Sequence, residues 1–147
     1  MPRLPIPTWC YALVVVRKGH RFLLVQEREQ GQPWYLPAGR VEQGESFVEA
    51  AHREVLEEAG VPVTLAGILA IQHTPTHYGA RHRIIFLAHP ADDAPPKSVP
   101  DDESLGAGWF SLDELCALPL RGQEVITWCE RALNGALVMP LAMLSSE

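Results

Sequence analysis

The sequence predicts an α/β fold whose strands run in mixed directions. Three observations lead there. Extended, β-branched stretches recur from one end of the chain to the other. The first two are joined by a tight turn, which makes them an antiparallel hairpin. A single well-marked helix with an apolar stripe separates this hairpin from the later strands. The 147 residues suit one compact domain over 1–147, with its core at about 9–134 and no internal repeat or linker. At 47% hydrophobic and 20% charged, the chain carries enough apolar surface to need no covalent staple.

Each element has its own warrant. Trp9 to Arg17 is apolar and β-branched, Lys18-Gly19-His20 turns, and Arg21 to Glu27 returns as the second strand. Gly31-Gln32-Pro33 breaks the chain, and Trp34-Tyr35-Leu36 is a short extended piece stopped by Pro37 and Gly39. Ser46 caps the next helix, and Glu49 three residues on completes a capping box. Val48, Ala51, Val55 and Ala59 form its apolar stripe, Gly60 ends it and Pro62 prevents continuation, so the helix spans about Phe47 to Ala59. Val63 to Gln72 and Arg83 to His89 are further strands, with His73, His77 and His82 around the loop between them. Ala91 to Ser104, with three prolines and five acids, is a loop. Ala107 to Phe110 is extended, Ser111 to Leu115 opens a brief capped helix, and Gly122 to Leu133 has helical spacing. The apolar tail from Ala136 to Leu144 is expected to cover either this domain or a second subunit.

Composition narrows the function. A net charge of −6 argues against stable binding to a nucleic-acid backbone, though not against a nucleotide whose phosphates arrive through a metal. Cys10, Cys116 and Cys129 are odd in number and far apart, as expected of reduced thiols in a cytoplasmic protein. Met1 to Pro7 lacks the apolar stretch of a signal peptide, and no run reaches the ~18 apolar residues of a membrane span.

The chemistry concentrates in residues 39–61. Glu54, Glu57 and Glu58 stand at i, i+3 and i+4, so one helix presents three carboxylates together. Such anions repel, and a hard cation such as Mg²⁺ is the usual neutraliser. The preceding Gly39-x₄-Gly44-Glu45-Ser46 has the outline of a phosphate-binding P-loop. Glu45, however, stands where that loop requires lysine, and a carboxylate there repels phosphate.

Gly39, five residues, Glu45, seven residues, then Arg53-Glu54-Val55-Leu56-Glu57-Glu58-Ala59-Gly60-Val61 resembles the Nudix box at every defined position. The entry Leu36-Pro37-Ala38-Gly39 is similar too, with Ala38 in place of a more usual glycine. The resemblance implies an α/β/α sandwich with a mixed β-sheet. It also implies hydrolysis of a nucleoside diphosphate linked to another group, with Mg²⁺ or Mn²⁺ as cofactor. By position, Glu54, Glu57 and Glu58 would hold the metals and the Gly39 carbonyl would add a backbone ligand. Glu45 and Arg53 would brace the loop against the helix, with Glu45 a ligand itself or one step removed. Arg53 and Glu57, four residues apart, also allow the arginine to aim a ligand carboxylate. The general base would be Glu57 or Glu58 in the box or Glu103 in the later loop, with Asp101 and Asp102 beside it. The opposing reading for Asp101 to Glu103 is a solvated acidic turn.

Substrate signals are weaker. Glu103-Ser104-Leu105, Ala107-Gly108-Trp109-Phe110 and Leu118-Pro119-Leu120-Arg121 resemble the Nudix branch that acts on 8-oxo-guanine nucleoside diphosphates. Pro75 and Tyr78 are loosely similar to ADP-ribose and dinucleoside-polyphosphate members respectively, and these cues conflict. Tyr78, Trp34 or Tyr35 could stack on a base. Arg28, Arg40, Arg81 and Arg83 could touch phosphates. A homodimer is the assembly that the resemblance makes frequent. The rival of another class is a non-catalytic nucleotide sensor, which the intact set of box carboxylates disfavours. An RNA-end hydrolase expects a basic path that this chain lacks.

Overall fold

A computed structural model describes residues 1–147. Strands β1 (Thr8–Lys18) and β2 (Arg21–Gln26) form the expected hairpin. Its turn uses Gly19 at φ +62°, a left-handed conformation that glycine adopts without steric cost. Strands β3 (Trp34–Tyr35) and β4 (Ala38–Arg40) follow, then helix α1 (Phe47–Ala59). Strands β5 (Val63–Pro75) and β6 (Ala80–Pro90) form a second, longer hairpin. Strand β7 (Gly106–Ser111), the short helix α2 (Leu112–Leu115) and helix α3 (Glu124–Leu133) complete the order, with a 3₁₀ turn at Leu141–Met143.

The main sheet runs β3-β2-β1-β6-β5, with β4 beside β1 and β7 beside β2. It is mixed as expected: β1 lies parallel to β6 from Thr8↔Ala80 to Val16↔Ala88, and the other strand pairs are antiparallel. The second edge of β1 is shared. Its Tyr11–Leu13 segment pairs with β4, and only Arg17 and Lys18 pair with β2. This division brings β4, and with it Gly39, against α1.

Strand β1 is apolar on both faces because both faces are covered. Ala12, Val14 and Val16 join one core with the buried side of α1, while Leu13 and Val15 join a second core with α3. The result is the α/β/α layering that the box resemblance implied. Helix α1 starts where Ser46 accepts a hydrogen bond from the Glu49 amide at 3.1 Å and the Glu49 carboxylate accepts from the Ser46 amide at 3.4 Å. It ends at Gly60, φ +71°, whose amide donates to the Leu56 carbonyl. Ala50, Ala51, Val55 and Ala59 are its buried stripe, and burying a valine such as Val55 contributes about 1.5–3 kcal/mol. No helix is long and apolar enough to cross a membrane.

Several boundaries differ from expectation. Residues 38–40 form a strand of their own instead of a loop entry. β5 runs on to Pro75 and β6 begins at Ala80, because Thr74 and Pro75 continue the ladder opposite Arg81 and Ala80. His73 and His82 are therefore paired strand residues, with ring centroids 4.8 Å apart, and only His77 lies in the turn. The apolar tail packs on the domain: Met139 bridges Ile68 on the β5 edge, and Leu141 and Leu144 cover the core on the α1 side. Gly67 permits this approach, since a Cβ there would run into Val138 and the Met139 carbonyl.

Candidate active site

The exposed side of α1 faces β4 and the loop that enters β7. Arg53 organises it. Its Nε and second guanidinium nitrogen grip Glu45 at 2.7 and 2.9 Å, a bidentate pair that also holds the loop before the helix. The other nitrogen reaches Glu54 at 2.8 Å and Glu57 at 3.1 Å. The guanidinium also donates to the Arg40 carbonyl at 3.1 Å, which ties the end of β4 to the helix. One cation thus aims three carboxylates. Glu45 is held below the usual carboxylate range by its hydrogen bonds to Arg53.

Burial separates the three helix carboxylates. Glu54 is only 8% exposed, and desolvation raises its pKa against the pull of Arg53. A Cβ at Gly39 would overlap the Glu54 carboxylate, so only glycine lets β4 pass this close. Glu57 is more open, and its carbonyl accepts a hydrogen bond from Lys97 Nζ. Glu58 turns inward and accepts from the Ala38 amide at 2.8 Å. Burial nevertheless pushes Glu58 up to about 9, with Glu54, Glu27 and Glu103 adding to the rise. The loop is locked to the helix beneath Glu58, where the buried Ser104 hydroxyl donates to the Glu58 carbonyl at 2.6 Å.

The candidate residues of the loop divide. Glu103 is exposed and lies within electrostatic reach of Glu54 and Glu58. Asp101 is engaged otherwise. It pairs with Lys97 at 2.6 Å and accepts from the Glu103 and Ser104 amides at 2.9 and 3.2 Å, which holds it down at about 2. Asp101 therefore shapes the turn that carries Glu103. Arg28 donates to the Asp101 carbonyl at 3.0 Å and braces the same loop. The Arg40 side chain is exposed at the end of β4. Tyr78 sits apart from the box, edge-on to Trp9 at 5.9 Å on the exposed β5–β6 turn.

A cleft of about 180 Å³ opens beside Gly39, with Tyr35, Arg81, Arg83 and Arg121 on its walls. It shares Tyr11 and Arg81 with a larger groove that ends at Trp9 and Tyr78. Arg83 is fixed by Glu124 at 2.7 Å and Gln72 at 2.8 Å, and the Tyr35 hydroxyl also donates to Glu124. Arg83 holds Glu124 down at about 2, while burial and Glu124 push Tyr35 up to about 12. Arg121 stacks over Tyr35 at 4.7 Å and pairs with Glu27 at 2.9 Å. Sequence reasoning did not single out Glu27 or Glu124 or place Arg121 beside Gly39, because their partners lie far along the chain.

The donors around the helix are all oxygen, which suits a hard divalent cation. As arranged, no group of three or more His, Cys, Asp or Glu side chains converges to hold a metal ion, since Glu45, Glu54 and Glu57 are all drawn onto Arg53. The burial of Glu54 and Glu58 with so little positive charge beside Glu58 is the arrangement that a cation would relieve.

Residues 8–129 match the family model described as NUDIX domain. The chain is 38% identical to 8-oxo-dGDP phosphatase NUDT18 of Mus musculus over 89% of its own length and 43% of the relative's. It is 32% identical to NAD-capped RNA hydrolase NudC of Pectobacterium atrosepticum over 92% of its length and 49% of the relative's. The chain thus spans less than half the length of either relative. Among solved structures, a NUDIX hydrolase from Nitrosomonas europaea superposes with a TM-score of 0.80 at 27% identity, covering 96% of this chain and 98% of that one.

Proposed function

The chain belongs to the Nudix hydrolase family, and on that premise we propose that it is a Mg²⁺- or Mn²⁺-dependent hydrolase of a nucleoside diphosphate-linked substrate, with 8-oxo-dGDP the first candidate. The observation that carries the reading is the complete box: Glu54, Glu57 and Glu58 on one helix, with Arg53 joining Glu45, Glu54 and Glu57 beside Gly39. Similarity to the 8-oxo-dGDP phosphatase supports the substrate class.

Glu54, Glu57 and Glu58, with the Gly39 carbonyl, would hold the cation, and Glu45 would act through Arg53. A bound divalent cation supplies charge for the phosphoryl oxygens and acidity for the attacking water. The protein's part is to orient and to move a proton. Arg53 keeps Glu54 and Glu57 at a fixed spacing before substrate arrives. Glu57, the most open box carboxylate, or Glu103 on the loop before β7, accepts the proton of the attacking water. The arginines beside Gly39 offer hydrogen-bond forks to the part of the substrate that extends from the diphosphate. Arg28 and Arg40 are assigned to outer phosphate contacts, and Tyr78 to stacking at the far end of the groove.

The direct test is a hydrolysis screen with Mg²⁺ or Mn²⁺ over 8-oxo-dGDP, 8-oxo-dGTP, ADP-ribose, a dinucleoside polyphosphate, NADH and NAD-capped RNA. The expected result is turnover of 8-oxo-dGDP above the others. Selective turnover of ADP-ribose or capped RNA would overturn the substrate and leave the reaction class. Binding of nucleotides without any metal-dependent product would instead favour a sensor.

A further inference from the structure

At the end of β2, Glu27 lies under the site with an incomplete set of partners. Its side chain is 13% exposed, and its Oε1 pairs with Arg121 at 2.9 Å. Its Oε2 is buried with no hydrogen-bond partner. Native structures leave few buried polar atoms unpaired, and a carboxylate oxygen is among the costliest to leave so. The position is built: Arg121 is stacked on Tyr35, its amide donates to the Trp34 carbonyl at 3.0 Å, and the Glu27 amide donates to the Pro33 carbonyl at 2.8 Å. Glu27 is also close enough to Glu58 to be felt there electrostatically. Arg121 holds Glu27 as Arg53 holds Glu54 and Glu57, and Glu27, Glu54 and Glu103 all act electrostatically on Glu58.

We propose that Glu27 is a further carboxylate of the cation site, offering its free Oε2 to a divalent cation on the Glu58 side while Arg121 holds the other oxygen and sets its direction. This rests on the metal-dependent reading of the box and adds a ligand from outside it. The clamp explains why Glu27 keeps one oxygen bare: Arg121 takes up Oε1 and leaves Oε2 unpaired. Removing the carboxylate therefore weakens cation binding and also relieves like-charge repulsion when no cation is present.

The test is a Mn²⁺ titration of the full chain without nucleotide, by calorimetry and by the electron paramagnetic resonance signal of free Mn²⁺. Thermal melts with Mn²⁺ and with chelator accompany it. Glu27→Gln is expected to weaken Mn²⁺ binding by roughly 10- to 100-fold, to shrink the Mn²⁺-induced rise in melting temperature, and to melt no lower than wild type in chelator. Glu27→Asp, which keeps the charge but withdraws the oxygen, is expected to fall between and serves if the glutamine variant does not fold. Unchanged Mn²⁺ affinity in both, beside a weakened Glu58→Gln, overturns this inference and leaves the box reading intact. An equal loss of melting temperature with and without Mn²⁺ overturns it too, since Glu27 would then only anchor Arg121. Failure of the wild type to bind Mn²⁺ overturns both readings.

Discussion

At the scale of the residue, the site is a problem in charge. Glu58 is the sharpest case, because burial and neighbouring carboxylates push it up to about 9 from an ordinary 4.5. A raised folded-state pKa means that the folded chain keeps a proton that the unfolded chain sheds. Stability from this group is then complete below about pH 4.5 and is lost as pH rises towards 9. We expect the cation-free protein to melt lower at pH 8.5 than at pH 5.5, and Glu58→Gln to flatten that slope. An unchanged slope in the variant would show that another group carries it. Addition of Mg²⁺ at pH 7 is expected to release protons, measurable by calorimetry in buffers of different ionisation enthalpy, because a ligand carboxylate must give up its proton.

At the scale of the element, helix α1 turns a local pattern into a rigid platform. Its capping box, apolar stripe and terminal glycine were legible because each signal lies within a few residues of the bond it makes. Ser46→Ala is expected to cost about 1 kcal/mol, a fall of about 2–4 °C in melting temperature for a chain of this size. A melt within about 0.5 °C of wild type would show that the cap does not stabilise the fold. Strand β4 was not legible. Its three residues carry no periodic signal, and its pairing with Tyr11–Leu13 is decided by the way β1 divides its edge. The paired histidines of β5 and β6 were hidden for a related reason: Thr74 and Pro75 look like a turn until β6 supplies their partners. The box carboxylates could be read from spacing alone. The Arg121–Glu27, Tyr35–Glu124 and Arg83–Glu124 contacts could not, since they join residues 94, 89 and 41 positions apart.

At the scale of the whole molecule, the two cores hold the box helix on one face of the sheet and α3 on the other, with the arginine cleft opening beside Gly39. Glu124 of α3 links the layers by fixing Arg83 on β6 and Tyr35 on β3. Its folded-state pKa is depressed to about 2 from 4.5, so the stability it contributes is present above about pH 4.5 and is lost as pH falls towards 2. Glu124→Gln should therefore melt below wild type at pH 7, with the gap closing between pH 4.5 and pH 2. A gap that is constant with pH would assign the effect to packing instead of charge. The same variant is expected to weaken substrate affinity more than turnover, because Arg83 would lose its anchor while the box stays intact. On the function proposed above, the box carboxylates drive metal-dependent anhydride hydrolysis. This is tested most directly by following phosphate release from 8-oxo-dGDP by wild type and Glu57→Gln, each with Mg²⁺ and with chelator. Release by wild type is expected only with Mg²⁺, with a fall of at least about 100-fold in a folded Glu57→Gln variant. Near-wild-type turnover by that variant, or release that persists in chelator, would contradict it.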